Sequence, residues 1–186
     1  LTAYAPHNAR PLAERAQFYT DLDNAHRQCS ADVGRVLLGD LNARLGARRP
    51  GEEHIIGPFS FGREAVHAVE MPSRELLMEF CEGAGVAVAN TFFGGAAEQQ
   101  VTFMEAGVSP SDDISEHKFA TLDLVLCEPA MLDHIVELQA VRSAALATDH
   151  FLVSVPLRFT RSSARGEARK KDAQRQALLN PDIKRA

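Results

Sequence analysis

The sequence predicts an α/β fold, and three observations predict it. Residues 11–28 and 73–83 carry apolar side chains at helical spacing, Leu37-Leu38-Gly39-Asp40 and Thr121 to Cys127 read as strands, and the two types alternate along the chain. With 186 residues and 45% hydrophobic content, the chain is long enough for one globular domain. That domain is placed at residues 1–159, and a basic tail or linker at 160–186.

Each element has its own signal. Pro11 suits a first helical turn, and Leu12, Ala16, Tyr19 and Leu22 follow at helical spacing, which predicts a helix over 11–28. A strand follows at 35–39. Residues 44–70 read as an extended loop, with Gly46, Gly51, Gly57 and Gly62 as breakers. Ser73 is the expected cap of a second helix, with Leu76, Leu77, Phe80 and Cys81 on one face and its end at Gly83 or Gly85. Strands are predicted at 86–90, 101–104 and 121–127, an exposed turn at 109–113, a short helix from Pro129, and strands near 135–141 and 151–159.

Composition narrows the classes. No apolar stretch approaches membrane-spanning length, so no membrane partner is expected. Cys29, Cys81 and Cys127 are odd in number and without a C-x-x-C pair, which fits neither a disulfide framework nor a zinc site and makes an intracellular setting the expectation. The first residue is Leu1, with no basic-then-apolar leader, which leaves processing or a start partway through a longer protein. Residues 1–159 hold 12 Lys and Arg against 22 Asp and Glu, whereas residues 160–186 hold 8 against 3: a body of −10 and a tail of +5. An acidic body disfavours non-specific nucleic-acid binding, yet carboxylates gathered around a metal would have the same sign. The tail is either a solvated run or a phosphate-binding one.

The candidate site is drawn from strand ends. Asp40 and Asn42 stand where the first strand opens, the position at which α/β proteins hold ligands. Asp123 shares a strand face with Val125 and Cys127, so if buried it must have a partner. Thr148-Asp149-His150 leads into the last strand. Taken singly, Asp40 with Asn42 reads as a turn cap, His150 as a satisfied histidine and Tyr4 as a packing residue. Arg44, Arg48, Arg49 and Arg63 would line a nucleic-acid groove or form a solvated face, the latter being the default.

Together, Tyr4-Ala5-Pro6, Gly39-Asp40-Leu41-Asn42-Ala43, Asn90-Thr91-Phe92, Thr102-Phe103, Leu122-Asp123-Leu124-Val125-Leu126 and Thr148-Asp149-His150 resemble, in order and separation, the endonuclease/exonuclease/phosphatase superfamily. The nearest resemblance is to the apurinic-type endonuclease domain of non-LTR retrotransposons, and it covers roughly residues 1–159. It implies the C-terminal half of that fold, a partial four-layer α/β sandwich truncated at its N-terminus. It also implies a metal-dependent phosphodiesterase using Mg²⁺, with Mn²⁺ as an alternative, that acts on DNA inside cells, in the nucleus for such an element. By the same resemblance Asp40 positions or deprotonates the attacking water, Asn42 holds phosphate or metal, and Asp149 is a metal-side carboxylate. His150 stabilises the charged phosphate, Asp123 orients His150, and Tyr4 contacts the scissile phosphate. The implied metal ligands are Asp40, Asn42 and Asp149.

The chain also departs from the pattern. The family's earlier Asn and metal-binding Glu would precede Leu1, so an uncovered apolar sheet face and weak Mg²⁺ binding are expected. Thr102-Phe103 stands where Thr-Trp is common, and Thr148 where Ser is usual. Three functions follow: a DNA endonuclease module of a retrotransposon-type polyprotein with a downstream reverse transcriptase; a phosphoesterase of the superfamily acting on RNA or on phospho-lipid or inositol substrates; or a non-catalytic remnant or interaction module. Fold does not choose between them.

Overall fold

A computed structural model describes residues 1–30, 34–62, 66–143 and 148–159. The basic tail at 160–186, residues 63–65 of the predicted 44–70 loop with Arg63, and residues 31–33 and 144–147 lie outside the described residues. The elements run β1 (Thr2–Tyr4), α1 (Leu12–Gln28), β2 (Val36–Asp40), α2 (Met71–Ala84), β3 (Ala87–Val88), α3 (Ala97–Gln100), β4 (Phe103–Met104), β5 (Phe119–Ala120), β6 (Asp123–Cys127), β7 (Gln139–Val141) and β8 (Leu152–Ser154), with 3₁₀ turns at Ala89–Thr91 and Pro129–His134. The main sheet has the order β1-β2-β6-β3; β4-β5 and β7-β8 form two small ladders.

Helices α1 and α2 cover one face of the sheet. Leu37 of β2 and Leu124 and Leu126 of β6 meet Tyr19 and Leu22 of α1 and Leu77, Phe80 and Cys81 of α2. Burying each large aliphatic side chain there stabilises the fold by about 1.5–3 kcal/mol. The alternation along β6 sends Val125 and Cys127 the other way, onto Met131, Ile135 and Leu138. Both faces of β6 are therefore buried. The face beside it is not covered along β1 and β2, where Tyr4 and Leu38 are exposed.

Several expectations need correction. The buried stripe of α1 is Arg15, Tyr19, Leu22 and His26, whereas Leu12 is exposed. Helix α2 begins two residues before Ser73, with Pro72 in its first turn, because the proline fits there. Ser73 instead lies buried inside the first turn, where its hydroxyl accepts from Arg15 at 2.8 Å and donates to Asn8 at 2.6 Å. Gly85, at φ 65°, ends the helix in the left-handed conformation. The expected strands at 86–90 and 151–159 are shorter, at Ala87–Val88 and Leu152–Ser154.

The loop after β2 is fastened rather than loose. Arg74 of α2 is fully buried; its guanidinium grips Glu52 at 2.6 and 2.9 Å and donates to the Leu45 carbonyl at 2.6 Å. Ile56 makes a parallel bridge to Val88, which brings the loop to the outer edge of β3. At the opposite edge of the sheet, Ala3 of β1 pairs in parallel with Gly39. A Cβ on Gly39 would overlap the Ala3 carbonyl, so only glycine allows this approach.

Candidate active site

Asp40 is the last residue of β2, Asp123 is the first of β6, and the antiparallel register sets them opposite each other. The next rung is closed by Leu41 N–H donating to the Leu122 carbonyl at 3.0 Å, and the Asp123 amide bonds away from β2, to the Thr102 hydroxyl at 3.0 Å. The Asp40–Asp123 rung is therefore the close, non-hydrogen-bonded kind, which sets the two side chains near each other on one face. Asp40 Oδ1 accepts from the Asn42 amide at 2.9 Å, and its Oδ2 from Asn42 Nδ2 at 3.2 Å. Asn42 takes φ 47°, which asparagine tolerates, and Nδ2 also donates to the Ala5 carbonyl at 2.8 Å. With Nδ2 used twice, Oδ1 is the atom Asn42 offers to a ligand.

His150 joins the two carboxylates. Its Nδ1 lies 2.8 Å from Asp123 Oδ2 and its Nε2 3.8 Å from Asp40 Oδ2. A carboxylate acceptor fixes the proton on Nδ1 and aims Nε2 toward Asp40. The backbone around His150 is tied to β4: Met104 N–H donates to the Asp149 carbonyl at 2.9 Å, and Phe151 N–H to the Thr102 carbonyl at 2.8 Å. The Phe103 ring meets the imidazole edge-on, with centroids 5.1 Å apart.

The charges shift two of these groups. Burial raises the pKa of Asp40, opposed by the Asn42 amide and by His150; the negative charges of Asp123 and Asp149 add to the rise. For His150, burial pulls the pKa down, but the hydrogen bond to Asp123 and the charges of Asp123, Asp40 and Asp149 outweigh it, so the net shift is upward. The result is a carboxylate made a better proton acceptor beside an imidazole held toward its cationic form.

Of the six residues singled out in the sequence, Asp40, Asn42, Asp123 and His150 come together at this strand end, and Asp149 is near enough to act on Asp40 and His150 electrostatically. The Asp149 carboxylate accepts from the Thr148 hydroxyl at 3.4 Å. Tyr4 lies in register with Asp40 on β1, but 73% of it is exposed. As a test of the metal expectation, the donor types suit a hard cation, since carboxylate and amide oxygens are its usual ligands. Yet among the described residues no group of three or more His, Cys, Asp or Glu converges to hold one.

Among the described arginines after the site, Arg44 is half-buried, whereas Arg48 and Arg49 are exposed. Arg44 pairs with Glu70 at 2.8 Å and with Glu105, Arg49 pairs with Glu75 at 2.8 Å, and Arg48 reaches the Ile56 carbonyl. Two further residues, in the motifs Asn90-Thr91-Phe92 and Thr102-Phe103, also serve the site. Asn90 and Thr102 hold the backbone of Asp123, a role visible only when distant loops are brought together.

No protein-family profile and no curated protein matches the chain. Solved structures do. A 3′-5′ exonuclease from Neisseria meningitidis matches with a TM-score of 0.58 and 16% identity, over 85% of this chain and 60% of its own. An AP endonuclease from Archaeoglobus fulgidus matches with a TM-score of 0.57 and 15% identity over the same shares, 85% and 60%. A Neisseria 3′ phosphatase bound to a product DNA hairpin matches with a TM-score of 0.53 and 16% identity, over 81% of this chain and 56% of its own. This chain thus spans about 60% of the length of the first structures it matches. The α/β sheet and the helices on it share the fold of these exonuclease and AP endonuclease structures.

Proposed function

We propose that the chain is part of a nuclease-type phosphodiesterase that cleaves DNA, as the nicking module of a retrotransposon-type polyprotein. The observation that carries this reading is the row Asp40–His150–Asp123, with His150 Nδ1 2.8 Å from Asp123 and Nε2 3.8 Å from Asp40. Asp40 orients and takes the proton of the attacking water. Asn42 offers its amide oxygen beside it. His150, kept cationic by Asp123, donates through Nε2 to the phosphate oxygen on which charge builds in the transition state. Asp149 and Tyr4 complete the rim of the site. Support for a nucleic-acid substrate comes from the structural neighbours: an exonuclease, an AP endonuclease and a phosphatase bound to a DNA hairpin.

Divalent-metal dependence, with Mg²⁺ as the ion, belongs to the proposal as the resemblance's implication. Asp40, Asn42 and Asp149 would fill only part of an oxygen shell, so the 186-residue chain is expected to bind Mg²⁺ weakly and to nick plasmid poorly. Glu52 is a poor replacement ligand, because Arg74 already holds both of its oxygens. The test is nicking of supercoiled plasmid by the protein in its full reading frame and by its His150→Ala variant. Equal rates from folded samples would remove the mechanism. A reading frame without a reverse transcriptase would remove the retrotransposon assignment but leave the nuclease.

A further inference from the structure

We infer that Asn90 is a positioning residue whose side-chain amide stands in for a strand peptide and fixes Asp123, and through Asp123 the aim of His150. The inference rests on the reading of Asp123 and His150 as an acting pair. Strand β3 pairs with β6 only at Ala87 with Cys127 and Val88 with Leu126. Had it run on, its peptides would have faced Val125 and Asp123. Instead the chain leaves the sheet through the 3₁₀ turn Ala89–Thr91, which Thr91 secures by donating its hydroxyl to the Val88 carbonyl at 2.7 Å.

Asn90, only 8% exposed, supplies the two missing bonds from its side chain. Its Oδ1 accepts from Val125 N–H at 2.7 Å, and its Nδ2 donates to the Asp123 carbonyl at 3.2 Å. On the same edge the Thr102 hydroxyl accepts from the amides of Leu122 and Asp123 at 2.9 and 3.0 Å. The backbone of Asp123 therefore faces no strand on that side, and its amide and carbonyl are both held by side chains.

The geometry needs one donor and one acceptor at the spacing of a peptide group, which restricts the residue to a carboxamide of asparagine length. Aspartate would keep the bond to Val125 and set an oxygen against the Asp123 carbonyl. Alanine would leave the Val125 amide and the Asp123 carbonyl without their partners in a buried place, and the start of β6 would shift to find others. A shift there moves the carboxylate off Nδ1, since the 2.8 Å hydrogen bond has little slack.

The experiment is NMR of ¹⁵N-histidine-labelled protein, following the His150 Nδ1 proton, assigned by its loss in Asp123→Ala. In Asn90→Ala and Asn90→Asp, this proton is expected to move upfield and to exchange with solvent roughly tenfold faster, the effect of losing one or two hydrogen bonds. The melting temperature, read alongside, separates this from general loosening. A mutation of similar stability cost in the core, Leu77→Val, should leave the proton unchanged. An unchanged signal in folded Asn90→Ala overturns the inference. Should neither Asn90 variant fold, hydrogen exchange of the unmodified protein decides: Val125 N–H and the His150 proton opening together supports it, and independent opening overturns it. A protein in its full reading frame that keeps the His150 signal but cleaves no DNA would sink the proposed function and leave the positioning role standing.

Discussion

The two ends of the β2–β6 ladder are made by the same pair of strands and behave oppositely. At one end Val36 faces Cys127, inside an apolar cluster with Met131 and Ile135. At the other, four residues along, Asp40 faces Asp123 with an imidazole between them. The apolar end gains by excluding water. The charged end confines like charges and pays in stability for a reactive arrangement, with His150 and the Asn42 amides offsetting part of that cost. Strand periodicity carries a side chain to a face, while position along the strand decides whether that face is core or site.

The sharpest way to break the contrast is at the charged end. His150→Ala or Asp40→Ala should lower plasmid nicking by the full protein on the order of 10²–10⁴-fold, the usual effect of removing a preorganised donor or base. Asp40→Asn should be nearly as damaging, yet its melting temperature should not fall. The pKa of Asp40 is raised in the fold, so its favourable contribution exists below the unfolded value and is lost as pH rises through the folded one. At neutral pH the charge is therefore a burden that asparagine removes.

The loop anchor comes next. Arg74→Ala leaves Glu52 and the Leu45 carbonyl without their buried partner, and should cost about 3–5 kcal/mol in urea unfolding. Burial pushes the Glu52 pKa up, but hydrogen bonds and charge from Arg74 and Arg49 bring it net below the ordinary value. The support it gives is thus present above the unfolded carboxylate pKa and fades as pH falls through the folded one. Within the helix-covered face, Leu126→Ala should cost about 2–5 kcal/mol while leaving the nicking rate per folded molecule unchanged.

A smaller effect tests the electrostatics. The cationic form of His150 is favoured, so its contribution to stability and to cleavage is complete below the ordinary histidine value of 6.5 and declines as pH rises through its elevated pKa. Asp123→Asn should move that decline in the pH–rate profile to lower pH. Smallest of all, replacing Arg169, Lys170 and Lys171, which lie outside the described residues, should reduce the salt dependence of DNA affinity more than turnover.

Much of this was legible because it is local. Helix α1, the strands at Asp40 and Asp123, and the shared face of Asp123 with Val125 follow from spacing, and the demand that Asp123 have a partner follows from the cost of burying charge. What was illegible depends on segments far apart in sequence. Arg15 and His26 occupy the buried stripe of α1, where spacing favoured Leu12. Ser73 looked like a cap because serine is a good one, but Arg15 and Asn8 claim its hydroxyl. Arg44 finds Glu70 just before α2 and Glu105 after β4, which its sequence neighbours do not disclose, whereas Arg48 and Arg49 lie on the solvated face that is the default for such a run. Asn90 gives no periodic signal, since its hydrogen bonds run to a strand 33 and 35 residues away.

Gly39 sets a clearance. Because the Ala3 carbonyl occupies the space a methyl group would need, the edge strand rests directly against the backbone that delivers Asp40. Substituting even alanine would act as a wedge, prying Tyr4 away from the site while every chemically active side chain remained unaltered. In a screen, that lesion would resemble the loss of a reactive group, although the residue changed has no side chain to react. The most intolerant position in the motif is therefore expected to be its least chemical one.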